Sequence, residues 1–180
     1  LIDSQVIHLD ETGMQIKGIR EWLHVVSTEY LTYYAAHHSR GSEANETMGI
    51  LPVFEGRCVH DGWKPYFKFS CLHALCNAHH LRELTGVAEE DCQEWPCDMI
   101  DLLLEIKRTA EERQSIDSWL DPDEVERFEV RYDQIIKKGM LENPPPKTPD
   151  LSKKRGRKKQ TAAKNLVDRL SEYHREVLAF

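Results

Sequence analysis

Two short apolar runs, about fifty residues apart, each end in a carboxylate with a glycine close behind it. The first is Val6-Ile7-His8-Leu9-Asp10-Glu11-Thr12-Gly13 and the second is Gly56-Arg57-Cys58-Val59-His60-Asp61-Gly62-Trp63. Their β-branched content predicts two strands, each delivering one Asp just before a turn. Two strand-end aspartates can meet at one edge of a sheet, which is the arrangement an acid pair needs to hold a divalent cation. A turn-capping Asp beside Gly is also common, and spacing alone does not separate the two readings.

Around this pair the chain is predicted to be α+β. Strands are expected at Val6–Leu9, Glu21–Ser27, Leu31–Ala36, Arg57–His60 and Leu72–Leu75, with the first three forming a hairpin meander that turns near Lys17-Gly18. Ser42 is expected to N-cap a short helix that Gly49 ends. From Asn77 the pattern becomes helical, with Ala78, Leu81 and Leu84 as its stripe and Gly86 as its stop. Met99–Ala110 is helical by period. Asp121-Pro122-Asp123-Glu124 has the form of a helix start, with Val125, Phe128, Tyr132, Ile135 and Ile136 buried behind it and Gly139 as its end. Pro144-Pro145-Pro146 begins a stiff connector, and a last helix starts near Thr161. Trp95 and Trp119 are expected to anchor cores.

The net charge of −7 hides an uneven distribution. Leu81–Asp150 holds 19 acids against 9 bases, and the rest holds 12 acids against 15 bases. A polyanionic partner would therefore meet the flanks, above all Lys153-Lys154-Arg155-Gly156-Arg157-Lys158-Lys159, with six bases in seven residues. This run predicts non-specific backbone contact with DNA through Lys153, Lys154, Arg155, Arg157, Lys158 and Lys159. A solvated charge run is the alternative. No apolar run approaches the roughly 20 residues a membrane span needs. Five cysteines without framework spacing suggest free thiols in a reducing cytoplasm. The abrupt start at Leu1 and the apolar helical end at Phe180 suggest a fragment.

Oxygen ligands suit Mg²⁺ or Mn²⁺, and two such ions support phosphodiester chemistry when two or three acids converge. Asp10 and Asp61 supply two. Glu11 would point to the opposite face if its strand continues, and serves as a substitute ligand only if the strand ends at Asp10. Cys71, His73, Cys76, His79 and His80 invite a zinc reading. Strand alternation puts Cys71 and His73 on one face and Cys76 on the other, which argues against one site using them all. Arg82 is the expected phosphate contact, because a guanidinium binds phosphate oxygens bidentately.

Several motifs in order carry a resemblance: Asp10-Glu11-Thr12-Gly13, Arg20-Glu21-Trp22-Leu23-His24-Val25, Ser39-Arg40-Gly41, Asp61-Gly62-Trp63 and Leu75-Cys76-Asn77-Ala78-His79-His80-Leu81-Arg82-Glu83-Leu84. Lys154–Gln160, Leu166–Leu170 and Val177–Phe180 add to it. The chain resembles the insertion-sequence 66 family of bacterial transposases over essentially its whole length. The resemblance implies a ribonuclease-H-like mixed sheet core with a mostly α-helical insertion. Residues 1–85 would be the first part of the core. Residues 86–160 would be the insertion with its Pro-rich and basic linker, and 161–180 the returning helices. It implies DDE chemistry with Mg²⁺ or Mn²⁺, Asp10 as first acid, Asp61 as second, and a third acid, a Glu, in an Asn-Asn-Gln-Ala-Glu-Arg motif downstream of Phe180. Strand-transfer activity of these residues alone is therefore expected to be low. His79 would contact DNA phosphate or a catalytic acid, or else be a buried, hydrogen-bonded His. DNA is the implied partner, with a homo-oligomer in the longer protein, no membrane, and a cytoplasmic, nucleoid-associated location. The rivals are a metal-dependent nuclease of the same fold, drawing on Glu172 or Glu176, and a non-catalytic DNA-binding remnant.

Overall fold

The computed structural model describes residues 1–116, 118–145 and 160–179. The basic run and most of the Pro-rich connector lie outside the described residues. The chain forms two compact units, Leu1–Cys76 with Arg175–Ala179, and Asn77–His174.

The first unit is built on a five-stranded mixed sheet in the order β3-β2-β1-β4-β5. β1 (Val6–Ile16), β2 (Ile19–Ser27) and β3 (Thr32–His37) form an antiparallel meander, and β4 (Arg57–His60) and β5 (Leu72–Leu75) extend it in parallel. The helices of the second unit complete the α+β class. β1 runs well beyond the expected Leu9, through Asp10 and Gly13, because the reversal lies farther on. Lys17 (φ 51°) and Gly18 (φ 81°) make the two-residue turn, and Ile16 pairs with Ile19. A turn with both central residues at positive φ matches the twist of the strands it joins, so Gly18 rather than Gly13 punctuates the hairpin. After β3 comes α1 (Ser42–Met48), with Gly41 rather than Ser42 at its N-cap and Gly49 left-handed at its end. The inward face gathers Ile7, Leu9, Val26, Phe54, Cys58 and Tyr66 into one core.

The second unit packs α2 (Asn77–Asp91), α3 (Trp95–Ser115), α4 (Pro122–Glu142) and α5 (Ala162–Glu172). The short α6 (His174–Val177) follows. α2 does not stop at Gly86. Its buried positions are His80, Leu84 and Val87, a stripe rotated from the expected one, and Ala78 is exposed. At the start of α4 the Glu124 carboxylate accepts the Asp121 N–H (3.0 Å), closing the expected capping box. Arg113 grips both acids from α3. Phe128, Tyr132 and Ile136 are buried behind this start, and Val125 is exposed. Trp95 is fully buried, whereas Trp119 is 90% exposed and anchors no core.

Gly139 does not end α4. It lies in the last turns because α3 and α5 come too close for a side chain: a Cβ there would sit 2.9 Å from Trp95 Cδ2 and 2.9 Å from Val167 Cγ2. Gly139→Ala gains roughly 1 kcal/mol of helix propensity. It drives a methyl group into a buried indole that cannot withdraw, at a cost of about 1–3 kcal/mol. The expected balance is a loss of about 1 kcal/mol in urea unfolding. An Ala variant more stable than the parent contradicts this tight packing.

Candidate active site

The site grows from alternation along β1. Ile7 and Leu9 point inward and are buried, so Glu11 follows them onto the same face. Asp10 takes the other face with Val6 and His8, and is exposed. The strand continues past Asp10, and the two neighbouring acids therefore diverge.

Glu11 is fully engaged. Its side chain is only 1% exposed. Arg40 Nε donates to Glu11 Oε1 at 2.7 Å, and Arg40 Nη2 lies 2.5 Å from the same oxygen. The Tyr66 hydroxyl donates to Oε2. Burial, reinforced by the Glu11 carboxylate, pushes the Tyr66 phenol well above its usual range, so it remains a donor. The Arg40 guanidinium lies over Trp63 at 4.2 Å and over Trp22 at 5.1 Å. Stacking between rings and pairing with a carboxylate both suit a planar cation.

The same Arg40 Nη2 stands 3.7 Å from Asp61 Oδ2. Asp61 follows the last residue of β4 and opens a turn: its Oδ1 accepts Trp63 N–H at 2.8 Å, and Gly62 takes φ 87°. Arg40 thus gathers Glu11 with Asp61, and Asp10 is not part of that cluster. Asp10 Oδ1 accepts only the adjacent Glu11 N–H, at 2.9 Å among the described contacts. Asp10 and Asp61 both lie just beyond the last β1–β4 pair, Asp10 still within β1 and Asp61 just past the end of β4. β1 and β4 are parallel, with His8 opposite Val59, and each Asp lies two residues farther along its chain. Chemically, Glu11 has both oxygens committed to fixed cationic or neutral donors, whereas Asp10 and Asp61 retain free lone pairs for an incoming ligand. Arg40 carried no signal in the sequence beyond its place in Ser39-Arg40-Gly41, and its partnership with Glu11 spans 29 positions.

The other nominated residues lie on α2. His79 is half-buried, with Nδ1 lacking a hydrogen-bond partner among the described residues. Arg82 is exposed, and its Nε donates to the Ala78 carbonyl at 3.4 Å. The histidine that is buried and bonded is His80, whose Nδ1 sits 3.1 Å from Asn77 Oδ1. Lys153, Lys154, Arg155, Arg157, Lys158 and Lys159 lie outside the described residues.

His80 makes a testable acid liability. Burial first, then the positive charge of Arg169, then His79, push it down to about 3 from 6.5. Between those values the unfolded chain binds a proton that the folded chain refuses. Stability is therefore full above pH 6.5 and falls as pH drops toward 3. By pH 5 the loss is about 2 kcal/mol. His80→Gln is expected to flatten the fall in the urea midpoint between pH 7 and pH 5 by that amount. Equal slopes in variant and parent contradict it.

A family model described as Transposase IS66 family matches residues 1–180. No curated protein matches the chain. Among the described residues no helix is long and apolar enough to cross a membrane. The match spans the two carboxylate-bearing strands, the Arg40 cluster and the helical unit together, and the chain belongs to the IS66 family of transposases.

Proposed function

We propose that this chain carries part of a ribonuclease-H-like DDE catalytic core that cuts and joins DNA strands at the ends of an insertion element. The observation that supports this reading is the parallel pairing of β1 with β4, whose register, extended two residues beyond His8 and Val59, runs to Asp10 on β1 and to Asp61 just past the end of β4. The sheet order β3-β2-β1-β4-β5 supports the same core.

The donor set fits a hard divalent cation. Asp10 is an exposed carboxylate with one local bond, and Asp61 has an oxygen free of backbone contacts. Oxygen donors of this kind favour Mg²⁺ or Mn²⁺ over softer metals. When bound, the cation polarises the phosphodiester and the attacking oxygen. The chain's own residues do the rest. Asp10 and Asp61 would hold that cation through their carboxylate oxygens. The Trp63 N–H holds Asp61 in one rotamer, and the Arg40–Glu11 pair behind it keeps the turn in place. His79 and Arg82 contact DNA phosphates from α2, with Arg82 the stronger candidate because its guanidinium is exposed. The successive steps are hydrolysis at the element end and attack of the freed 3′-OH on target DNA, with no covalent protein intermediate. The third acid belongs to the Asn-Asn-Gln-Ala-Glu-Arg motif.

The direct experiment is Mg²⁺-dependent cleavage of element-end DNA by a protein that also carries that motif. Failure of the wild-type protein to nick such DNA in Mg²⁺ or Mn²⁺ overturns the reading. The basic run has a separate signature. Six phosphate contacts predict a log–log slope of affinity against salt of about −5 on duplex DNA. Replacing Lys153, Lys154, Arg155, Arg157, Lys158 and Lys159 with Gln is expected to remove that slope. A variant with an unchanged slope excludes the run from the interface.

A further inference from the structure

We propose that Cys58, His60, Cys71 and His73 form a buried tetrahedral site for Zn²⁺ within the Leu1–Cys76 unit. This site is separate from the oxygen donors at Asp10 and Asp61, and does not rest on the reading of them.

A Cys-x-His spacing occurs twice in this unit. Cys58-Val59-His60 lies on β4, and Cys71-Leu72-His73 enters β5. The two strands are parallel neighbours, and their register sets Cys58 opposite His73. Residues two apart on a strand share a face, and paired residues of parallel strands share a face. All four side chains are therefore directed to one side of the sheet. Cys58 and His60 are fully buried, Cys71 nearly so, and His73 is half-buried. Proximity in sequence groups Cys71 and His73 with Cys76 and the α2 histidines. The partners that complete a site came instead from β4.

The donor atoms are already close. The Cys58 Sγ and a ring nitrogen from each of His60 and His73 lie within 4.8 Å of one another. His60 Nε2 is 3.1 Å from His73 Nδ1. The Cys71 thiol neighbours that of Cys58. Zinc bonds of about 2.3 Å to sulfur and 2.0–2.1 Å to nitrogen at tetrahedral angles place ligands about 3.3–3.8 Å apart. Cys58, His60 and His73 reach that by small side-chain adjustments, and the Cys71 sulfur, which stands outside that trio, turns toward it to complete the tetrahedron.

The surroundings supply further support. His73 Nε2 lies 3.1 Å from the Phe69 carbonyl. A donor role there leaves Nδ1 with its lone pair toward His60, and such a bond orients a metal-bound imidazole. The rings of Tyr66 and Phe67 each lie 4.9 Å from the His60 ring and shield it. Two thiolates and two neutral imidazoles cancel the charge of a divalent cation, so the occupied centre is neutral and suits an apolar core. Each thiol releases one proton to solvent and forms a sulfur–zinc bond. His73 Nδ1 uses its existing lone pair. His60 Nδ1 now accepts the Gly62 N–H at 3.0 Å, so its proton sits on Nε2. That proton moves to Nδ1, Nε2 binds zinc, and the Gly62 amide gives up its bond. Zinc therefore alters the turn directly after Asp61.

The test uses the whole chain, kept reduced, with Zn²⁺ and Co²⁺ as the only probes. One zinc per chain is expected after dialysis. Cobalt in the stripped protein is expected to give intense tetrahedral bands with thiolate charge transfer, displaced by zinc. Cys71→Ser and His73→Gln are each expected to weaken binding about a hundredfold or more. Cys92→Ser and Cys97→Ser, at exposed thiols, leave it unchanged. The surface group His37, His38 and Glu43 has no sulfur, so any cation it takes gives no thiolate band. Because Cys58 is fully buried and its variant can fail to fold, the wild-type cobalt spectrum and the half-buried His73 carry the decision. Absence of thiolate charge transfer, or retention of zinc in both variants, overturns the site. So does a Cys58–Cys71 disulfide in the isolated chain. DNA cleavage enters none of these readouts, so this proposal and the cleavage reading fail independently.

Discussion

Asp10→Asn, in a protein that also carries the downstream Glu motif, is expected to reduce Mg²⁺-dependent cleavage of element-end DNA about a thousandfold and to leave the urea midpoint where it is. The two halves of that result follow from one fact: the Asp10 side chain is exposed and, among the described residues, makes a single local bond, to the Glu11 N–H. An Asn oxygen accepts that bond equally well, so stability should stay within about 0.5 kcal/mol. The lost carboxylate is another matter. Cation-assisted charge stabilisation is worth several kcal/mol, and each 1.36 kcal/mol is tenfold in rate. Asp61→Asn should behave alike, since the new amide still accepts the Trp63 N–H and Arg40 keeps its contact with Glu11. Cleavage within tenfold of the parent in both variants removes these two residues from the chemistry.

Arg40→Ala has the opposite profile, a large loss of stability from a residue off the acid pair. Glu11 is the more buried partner, at 1% side-chain exposure, and Arg40 satisfies one of its oxygens twice. Removing the guanidinium leaves that carboxylate, among the described residues, facing only the Tyr66 hydroxyl, along with an opened gap between Trp22 and Trp63. Breaking one side of a buried pair costs about 3–5 kcal/mol, because the remaining charge is stranded away from water. Arg40→Lys should recover little, since one ammonium cannot place donors where Nε and Nη2 now stand. The double change Arg40→Ala with Glu11→Gln should regain a substantial part, because the stranded charge is gone. Urea unfolding followed by near-ultraviolet circular dichroism reads all three. An Arg40→Ala midpoint shift worth less than about 1 kcal/mol sinks the buried-pair account.

These two outcomes also separate the neighbouring acids at positions 10 and 11. Both stand in the same Asp-Glu-Thr-Gly motif. Glu11 belongs to the structure, locked by donors on both oxygens. Asp10 is left free for a ligand. Their difference is a matter of which way successive side chains leave a strand.

What was legible from residues alone was whatever nearest neighbours decide. Strand alternation in Ile7 and Leu9, the hairpin at Lys17-Gly18, the capping box of Asp121 and Glu124, and the buried trio Phe128, Tyr132 and Ile136 all depend on contacts a few positions apart. Packing between distant segments decided the rest. Gly139 continues a helix because Trp95, far away in the chain, needs its missing side chain. Gly86 lies inside α2, whose buried stripe continues to Val87. Glu11 meets Arg40, and Cys58 faces His73, only once the register of β1, β4 and β5 is set. Local rules state which residues can turn inward. Register and close approach choose the partners they find there, because a slip of one residue sends every side chain of a strand to the other face.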